Sequence, residues 1–448
     1  MGLLFSAASA CALFFLSLRF MKQFWAMFSS VLFAFLSTDP LVEGTAANTE
    51  LFMLFPLILS QIALLFAVSE NRRKIPLAIL AGALTGMAMA FKQVAIFNWP
   101  LLFFSYWLFV AGPQRLSKTL YFAWWSAVGG AAIWCFIGTY FFLRHGLNDL
   151  IYHVFTHNLE YIRTTPWSVR LKYCSATLKA ISRSQLVIWG FSAVGFVALC
   201  MTKRVKIFVF LAGLMITSLA GVSVSGYFFP HYFQQLLPVI CLTAALGAGE
   251  LEGASFWKAT SVWNRRAILG VALTVLPFIV IDPFLFLYSP KEAVREIYPR
   301  DIFAEMPDLA KRMAQITRPN ERVFVFGAEP ELLFYARRVS ATRYIFLFPL
   351  YGPYSDARAR QIETADEISA NKPAAALYLP DEFFFSAGSE QYFTRWSQTY
   401  LLHNFHADTY LKVDQSNIVH FIPCVPNQSS QALDELRLLG ILAVRNSK

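Results

Sequence analysis

Three carboxylates stand in one short polar stretch between two apolar runs. The stretch is TDPLVEGTAANTE, residues 38–50, and it contains Asp39, Glu43 and Glu50. An ionised carboxylate can take a proton from a hydroxyl group, orient an acceptor or hold a cation. Asn48 is favoured at helix N-caps, which places Glu50 in the first turn of the next helix, where the helix dipole keeps it ionised. An acidic residue that only stabilises a helix start has the same placement.

Two basic side chains stand at similar borders. Lys92 ends the apolar run GALTGMAMAFK, and His231 with Tyr232 opens another run in GYFFPHYFQQLLP. Charges in a membrane are costly and usually serve a site or a pathway. Lys92 could meet a lipid phosphate, and His231 could donate to a phosphate or bind a carboxylate. The alternatives are a lysine that reaches the membrane interface and a structural histidine.

A long polar segment, residues 144–185, holds a third group of such residues. His153, His157 and Glu160 share one helix face, a spacing that can bind zinc. The stretch lacks the glutamate of the His-Glu-x-x-His motif, so an amphipathic face is the stronger interpretation and no metal is predicted. Basic residues of the segment favour lipid headgroups or a sugar phosphate; among them are Arg144, His145, Arg163, Arg170 and Lys172.

The sequence lacks the motifs of several other kinds of catalysis. There is no Gly-x-Ser-x-Gly, Walker or Cys/His zinc pattern, which disfavours nucleophilic catalysis and nucleotide hydrolysis and predicts no cofactor. The net charge of +10 indicates affinity for an anionic membrane. Nucleic acid is not an expected partner, because no basic stripe carries interleaved aromatic residues.

The composition indicates which elements position these residues. Only 15% of the 448 residues are charged, against about a quarter in soluble domains, so the chain is an integral membrane protein. A span needs roughly 20 apolar residues, and about ten runs qualify. They are 3–18, 24–38, 50–69, 76–91, 94–111, 120–143, 186–201, 207–224, 236–250 and 267–287.

Sidedness follows from the basic residues, which cluster in every second loop. Cytoplasmic loops carry the excess of Lys and Arg, so residues 38–50, the turn at 92–98, the segment 144–185, the loop GYFFPHYFQQ and everything after about 288 are expected outside. Residue 1 then lies outside as well, directly before a span and without a signal-peptide pattern. We therefore expect an upstream span and loop that this chain does not contain.

Two domains are predicted. Residues 1–287 form an all-α membrane domain, in which the segment 144–185 lies as helices in the interface. Residues 288–448 alternate helices with buried strands, which predicts an extracytoplasmic α/β domain. RVFVFG, TRYIFLF and PAAALYL are predicted strands, DTYLKV and NIVHFI a hairpin, and residues 431–440 a last helix.

Two of the six cysteines, Cys174 and Cys424, are both expected outside the cytoplasm. A disulfide between them and two free thiols are both compatible with that compartment. Four others lie in apolar runs, where cysteine behaves as a small hydrophobic residue.

Several stretches together resemble a known family. The chain is similar to bacterial glycosyltransferases of the GT-C superfamily, in the protein O-mannosyltransferase-like family 39 that includes aminoarabinose transferases. The matching stretches follow the family's order and cover most of the chain; they are GTAANTELFMLFPLIL, GALTGMAMAFKQVAIFNWP, YHVFTHNLEY, GYFFPHYFQQLLP and VFVFGAEPELLFYARRVSATRYIF.

The resemblance implies inverting sugar transfer on the outer face of a bacterial cytoplasmic membrane. The donor would be a polyprenyl-phosphate sugar, and the acceptor a glycan, lipid or protein. Glu50 matches the family's acidic position in the second external loop, and Lys92, His231 and Tyr232 match polar positions implied to bind substrate. Three further substrate-binding candidates come from the segment that contains YHVFTHNLEY: Asn158, Tyr161 and Arg163.

One departure from the family concerns its principal catalytic aspartate. The family carries it in the first external loop after the first span, and this chain has no such loop; Asp39 is the substitute we consider. Two other functions stay open. A transporter or flippase for a lipid-linked sugar would move its substrate without transfer, and a truncated, non-catalytic relative would bind without turnover.

Overall fold

The computed structural model divides into two compact units. The first comprises Met1–Asn158 and Thr165–Leu287, and the second Leu159–Thr164 and Tyr288–Lys448. The structure describes residues 1–69, 73–163, 166–257, 259–298, 301–352, 354–380, 392–414, 418–424 and 436–446.

The described part of residues 1–287 is mainly helical. The helices are α1 (Gly2–Ser17), α2 (Gln23–Leu36), α3 (Thr49–Ser69), α4 (Lys74–Phe91), α5 (Asn98–Phe109), α6 (Arg115–Leu143), α7 (Leu147–Ile151), α8 (His157–Arg163), α9 (Trp167–Met201), α10 (Val205–Ser223), α11 (Leu237–Glu252) and α12 (Val262–Asp282). Short 3-10 segments lie at Pro40–Val42, Gln93–Phe97, Pro230–Leu236 and Ser255–Trp257, and π-helical segments at Tyr152–Thr156 and Pro283–Leu287.

Seven helical segments within the described residues are long and apolar enough to cross a membrane, by length and composition. They are α3, α4, α6, α9, α10, α12 and the segment Pro230–Glu252. Three more apolar helices are shorter, namely Gly2–Ser17, Gln23–Leu36 and Gln93–Phe109. A multi-pass helical domain is confirmed, while the number ten stays a prediction.

The long segment 144–185 is built differently from the prediction. Its first half forms short helical pieces up to Arg163, but Trp167–Met201 is one continuous helix of 35 residues. The second half of the segment is therefore the extension of a span. Its polar residues obscured the helical continuity, because the apolar run begins only near residue 186.

Close contact between α9 and α11 fixes the position of the polar part of α9. A Cβ atom on Gly195 would lie 2.1 Å from the carbonyl oxygen of Thr243, and one on Gly247 would lie 2.3 Å from that of Phe191. Small residues allow membrane helices to approach this closely. The buried hydroxyls of Ser192 and Thr243 lie 2.6 Å apart at the same crossing.

Pairs of charged residues lie at both ends of α11. At the C-terminal end of α11, Arg204 pairs with Glu250 at 3.2 Å and Arg266 with Glu252 at 3.0 Å. His231 lies before the other end of that helix and bonds to Glu43. The loops that carry Glu43 and His231 thus meet at one end of this helix, and Arg204 and Arg266, from two of the basic loops, lie at the other.

The second unit contains a six-stranded sheet with helices. Its elements are α13 (Pro290–Ile297), α14 (Met306–Gln315), β1 (Arg322–Phe326), α15 (Glu331–Ala336), β2 (Val339–Ser340), α16 (Phe348–Tyr351), α17 (Ala357–Asn371), β3 (Ala375–Tyr378), α18 (Tyr392–Asn404), β4 (Phe405–Val413), β5 (Val419–Pro423) and β6 (Arg437–Arg445). The strand order is β2-β1-β3-β6-β4-β5. β1 pairs in parallel with β2 and β3, and the other pairs are antiparallel.

Alternate residues of β1 enter two separate cores. Val323 and Val325 pack in one cluster with residues of α14 and α15, while Phe324 and Phe326 pack in the other with residues of α17 and α18. Side chains of a strand alternate between its two faces, so both faces of the sheet are covered. The predicted α/β domain is confirmed at this level.

Two predicted elements of this unit are wrong. TRYIFLF is not a strand, because Thr342 and Tyr344 donate their backbone N–H groups to the hydroxyls of Ser340 and Thr342, which curls the chain into turns. Residues 437–440 of the predicted last helix belong to β6, which pairs with β3 and β4 inside the sheet. Residues 431–435 lie outside the described residues.

The predicted hairpin is correct, since β4 and β5 pair antiparallel from Thr409 with Pro423 to Val413 with Val419. Cys174 and Cys424 are both free thiols.

Candidate functional site

Asp39 organises the loop that follows α2. One of its carboxylate oxygens accepts from the backbone N–H of Leu41 at 2.9 Å, which caps the 3-10 turn Pro40–Val42. The other accepts from the hydroxyl of Ser184 at 2.6 Å and from the side-chain amide of Gln185 at 3.2 Å. The polar end of α9 therefore holds this loop in place.

Asp39 is fully buried, and its environment acts on its pKa in two directions. Burial raises the pKa, because the charged form loses its hydration, and the hydrogen bonds from Ser184, Leu41 and Gln185 lower it; the pKa is raised on balance. With this burial and three donors, Asp39 is placed to support the loop.

Glu50 and Lys92 form an ion pair at this end of the helices. Glu50 lies in the first turn of α3, and Lys92 follows the last residue of α4. The Glu50 carboxylate is fully buried and accepts from the Lys92 ammonium, whose side chain keeps 20% of its surface exposed. The Lys92 Nζ also lies 3.8 Å from the ring centroid of Tyr232, a cation–π contact.

His231 and Glu43 form a second pair beside the first. The His231 Nδ1 and a Glu43 carboxylate oxygen are 2.7 Å apart, and the two side chains keep 22% and 18% of their surface exposed. The rings of His231 and Tyr232 meet edge to face at a centroid distance of 4.8 Å. Tyr232 thereby links the two pairs, and we name the residues Glu43, Glu50, Lys92, His231 and Tyr232 the rim cluster.

The 3-10 segment Pro230–Leu236 positions the second half of the rim cluster. Pro230 stands at its start, and the buried side chain of Gln234 donates to the carbonyl oxygen of Val42 at 2.9 Å. Glu43, directly after Val42, has a positive φ of 52°. The asparagine side chain of Asn48 donates to the carbonyl oxygen of Glu43 at 3.3 Å, so both ends of this turn are fixed.

The electrostatics of the rim cluster separate buried from accessible groups. The Glu50 carboxylate is buried and paired with Lys92. Lys92, His231 and Glu43 are neighbours and are each partly exposed. A cation of this kind can bind a phosphate, and a carboxylate bonded to an imidazole can take up a proton. Acid–base and anion-binding groups therefore stand within one continuous set of contacts.

The structure brings four of the sequence-predicted residues into this region: Glu50, Lys92, His231 and Tyr232, with Asp39 beneath them. Asn158, in α8, donates to the carbonyl oxygen of Val154 in the preceding π-helical segment at 2.8 Å. Tyr161 and Arg163 belong to Leu159–Thr164, which groups with the second unit. A substrate role for these three residues stays a prediction.

Sequence reasoning missed the supporting residues. Ser184 and Gln185 hold Asp39, and Gln234 holds the turn at Val42. The only signal for the first two is a polar pair directly before an apolar run, which is also typical of a helix end at a membrane surface. Glu43 is one of three carboxylates in its loop, but its pairing with His231, 188 residues away in sequence, cannot be read from the sequence.

His153 and His157, whose spacing in the sequence could bind zinc, have ring centroids 6.2 Å apart. Across the described part of the chain, no group of three or more His, Cys, Asp or Glu residues is arranged to hold a metal ion.

Comparison with known proteins gives distant structural similarity only. No family model and no curated protein sequence matches the chain. The chain is similar to the apo oligosaccharyltransferase of Archaeoglobus fulgidus, with a TM-score of 0.47, 11% identity and coverage of 99% of this chain and 64% of that chain. It is equally similar to the archaeal oligosaccharyltransferase AglB from the same organism in complex with an inhibitory peptide and a dolichol-phosphate, with a TM-score of 0.48, 11% identity and the same coverage. The chain thus spans about two thirds of their length at most, and membership in the GT-C superfamily and in family 39 stays a prediction.

Proposed function

We propose that this protein transfers a sugar from a polyprenyl-phosphate donor to an acceptor hydroxyl at the outer face of a bacterial cytoplasmic membrane. The observation that carries the proposal is the rim cluster, where the partly exposed Lys92 and His231 lie beside the partly exposed Glu43. The cluster lies at the membrane-helix end opposite the basic loops, and basic loops are typical of the cytoplasmic side.

The proposed reaction is a single displacement. The acceptor oxygen forms a bond to the anomeric carbon while the bond from that carbon to the phosphate oxygen breaks, and the bonding pair leaves on the phosphate. The acceptor proton passes to the Glu43 carboxylate, which His231 orients. Lys92 offsets the negative charge of the leaving polyprenyl phosphate.

Glu50 takes a positioning role in this proposal. Its carboxylate is fully buried and bonded to the Lys92 ammonium, so it acts on the substrate through Lys92. Asp39 has a comparable role for the loop that carries Glu43, since three donors from Leu41, Ser184 and Gln185 hold its two oxygens. This proposal differs from the sequence prediction that Glu50 and Asp39 are catalytic groups, which stays a prediction.

The test uses the full chain in nanodiscs and a radiolabelled polyprenyl-phosphate sugar, with release of labelled sugar as the readout. Lys92→Gln is expected to lower kcat about 10²-fold, the effect of removing one charge-stabilising donor. Lys206→Gln is the matched control, because this lysine is exposed at the start of α10, where the basic loops lie. In proteoliposomes, which unlike nanodiscs enclose a compartment, transport of the lipid-linked sugar by the unmodified chain without sugar release would contradict the proposal and favour a flippase.

A further inference from the structure

Four aromatic rings form a row that leads to the rim cluster. Tyr173 on α9 stacks on Tyr227 with a centroid distance of 6.4 Å, Tyr227 on Phe229 with 5.6 Å, and Phe229 on His231 with 5.7 Å. The interplanar angles are 17°, 7° and 7°. We name these residues, Tyr173, Tyr227, Phe229 and His231, the aromatic row.

The rings of the row are parallel but displaced sideways. Carbon atoms in contact lie roughly 3.5 Å apart, so a centroid distance near 5.6 Å corresponds to a lateral shift of about 4 Å between neighbouring rings. Each ring therefore leaves much of its face uncovered by the next. The exposed fractions agree with this geometry, because Phe229 is 42% and Tyr173 41% exposed.

An uncommon backbone conformation holds the row together. Gly226 has a φ of +77°, and a Cβ atom there would lie 2.6 Å from Nε of Arg170. Phe228 has a φ of 50°, which is rare for a bulky residue, and its carbonyl oxygen accepts from the hydroxyl of Thr177 at 2.8 Å. Such conformations persist where the surrounding structure fixes them, and they concentrate at functional sites.

The row is continuous with the charged groups. Its last member, His231, bonds to Glu43, and Phe229 meets the ring of Tyr232 edge to face at 5.6 Å. A molecule whose phosphate lay at Lys92 would therefore extend along Phe229 and Tyr227 towards Tyr173. The row stands at the loop end of the helices and carries two phenol hydroxyls and an imidazole, so it suits a ligand with both apolar C–H faces and hydroxyl groups.

We propose that the aromatic row binds the sugar of the lipid-linked donor through its C–H face. A pyranose ring presents several C–H groups on one face, and these are attracted to the electron-rich face of an aromatic ring. A prenyl chain has no hydroxyl groups for the polar atoms of the row, and it belongs in the hydrocarbon layer. This inference rests on the proposed function, because it assigns a subsite to the same donor.

The test compares two kinds of ligand on the full chain in nanodiscs. The probes are farnesyl phosphate and farnesyl phosphate carrying glucose, mannose or galactose, with affinities measured by calorimetry. On the intact row, at least one phosphosugar should bind more tightly than farnesyl phosphate. Phe229→Leu and Tyr173→Leu should each weaken that phosphosugar roughly three- to tenfold and leave the affinity for farnesyl phosphate unchanged.

Phe142→Leu is the matched control, since Phe142 is 64% exposed near the end of α6 and is not a member of the row. Unchanged farnesyl phosphate binding also shows that each variant is folded. Equal weakening of both ligand kinds, or no weakening of either, would overturn the sugar subsite and leave the proposed function standing. Failure of the unmodified chain to bind farnesyl phosphate would overturn the proposed function and the subsite with it.

Discussion

Glu50 and Lys92, which are 42 residues apart, form an ion pair that joins the start of α3 to the end of α4. The carboxylate is fully buried, whereas the lysine keeps a fifth of its side chain exposed. Because one partner is buried, loss of the other is costly, and because Lys92 is partly exposed it can reach a ligand. Structural and functional roles of this pair can be separated by experiment.

Glu50→Gln should destabilise the first unit by about 2 kcal/mol, because it leaves the partly buried ammonium without its carboxylate. Glu50→Leu with Lys92→Met should recover most of that stability, since removal of both charges leaves no unpaired ion. Thermal unfolding followed by tryptophan fluorescence measures both. A double variant at least as unstable as Glu50→Gln would contradict the pair as the source of the loss.

The raised pKa of Asp39 predicts how the stability of the chain depends on pH. The pKa of Asp39 in the folded chain is raised above the ordinary value of 3.8, so the folded state binds the proton more tightly than the unfolded state. The associated stability is fully present below the unfolded pKa and is lost as pH rises through the folded pKa.

Asp39→Asn has a side chain that stays neutral at every pH and serves as the reference. The free energy of unfolding of the unmodified chain, minus that of the variant, should therefore fall as the pH rises above about 4. Unfolding by dodecyl sulfate at a series of pH values measures this difference. A difference that rises with pH would show that the hydrogen bonds from Ser184 and Gln185 outweigh burial.

The sequence could predict elements with a strong local pattern. Apolar runs indicate the long helices, and the β4–β5 hairpin follows from two short strands near each other in sequence. It could not predict β6, because LLGILAV is apolar throughout and fits a buried helix as well as a central strand. Pairing of β6 with both β3 and β4 decides the outcome, and that contact is not local.

The candidate site shows the same division. Glu50, Lys92 and His231 could be named because a charge at the border of an apolar run is unusual. Their partners could not, since His231 meets Glu43 and Asp39 meets Ser184 only through packing of helices far apart in sequence. Exposure is likewise a tertiary property, and it separates Glu50, which is buried, from Glu43, which is accessible.

Two glycines on α9 offer a matched test of the α9–α11 contact. Gly195→Ala should destabilise the chain by about 1–3 kcal/mol, because the new Cβ atom would lie 2.1 Å from a backbone oxygen of α11, which cannot turn aside. Gly190→Ala has open space around it and should be neutral or stabilise by up to about 1 kcal/mol. Thermal unfolding compares the two, and equal effects would contradict the close crossing.

Glu43 is the accessible carboxylate of the rim cluster, so its removal should affect turnover more than binding. Glu43→Gln keeps the side-chain size and a hydrogen-bonding oxygen for His231 but takes up no proton, and kcat should fall roughly 10²-fold or more with KM little changed. Initial rates of sugar release at several donor concentrations separate the two constants.

Glu250→Gln is the control, since this glutamate pairs with Arg204 at the opposite end of the helices and should leave kcat unchanged. An unchanged kcat in Glu43→Gln would remove this carboxylate as the proton acceptor, whereas a rise in KM alone would assign it to donor binding.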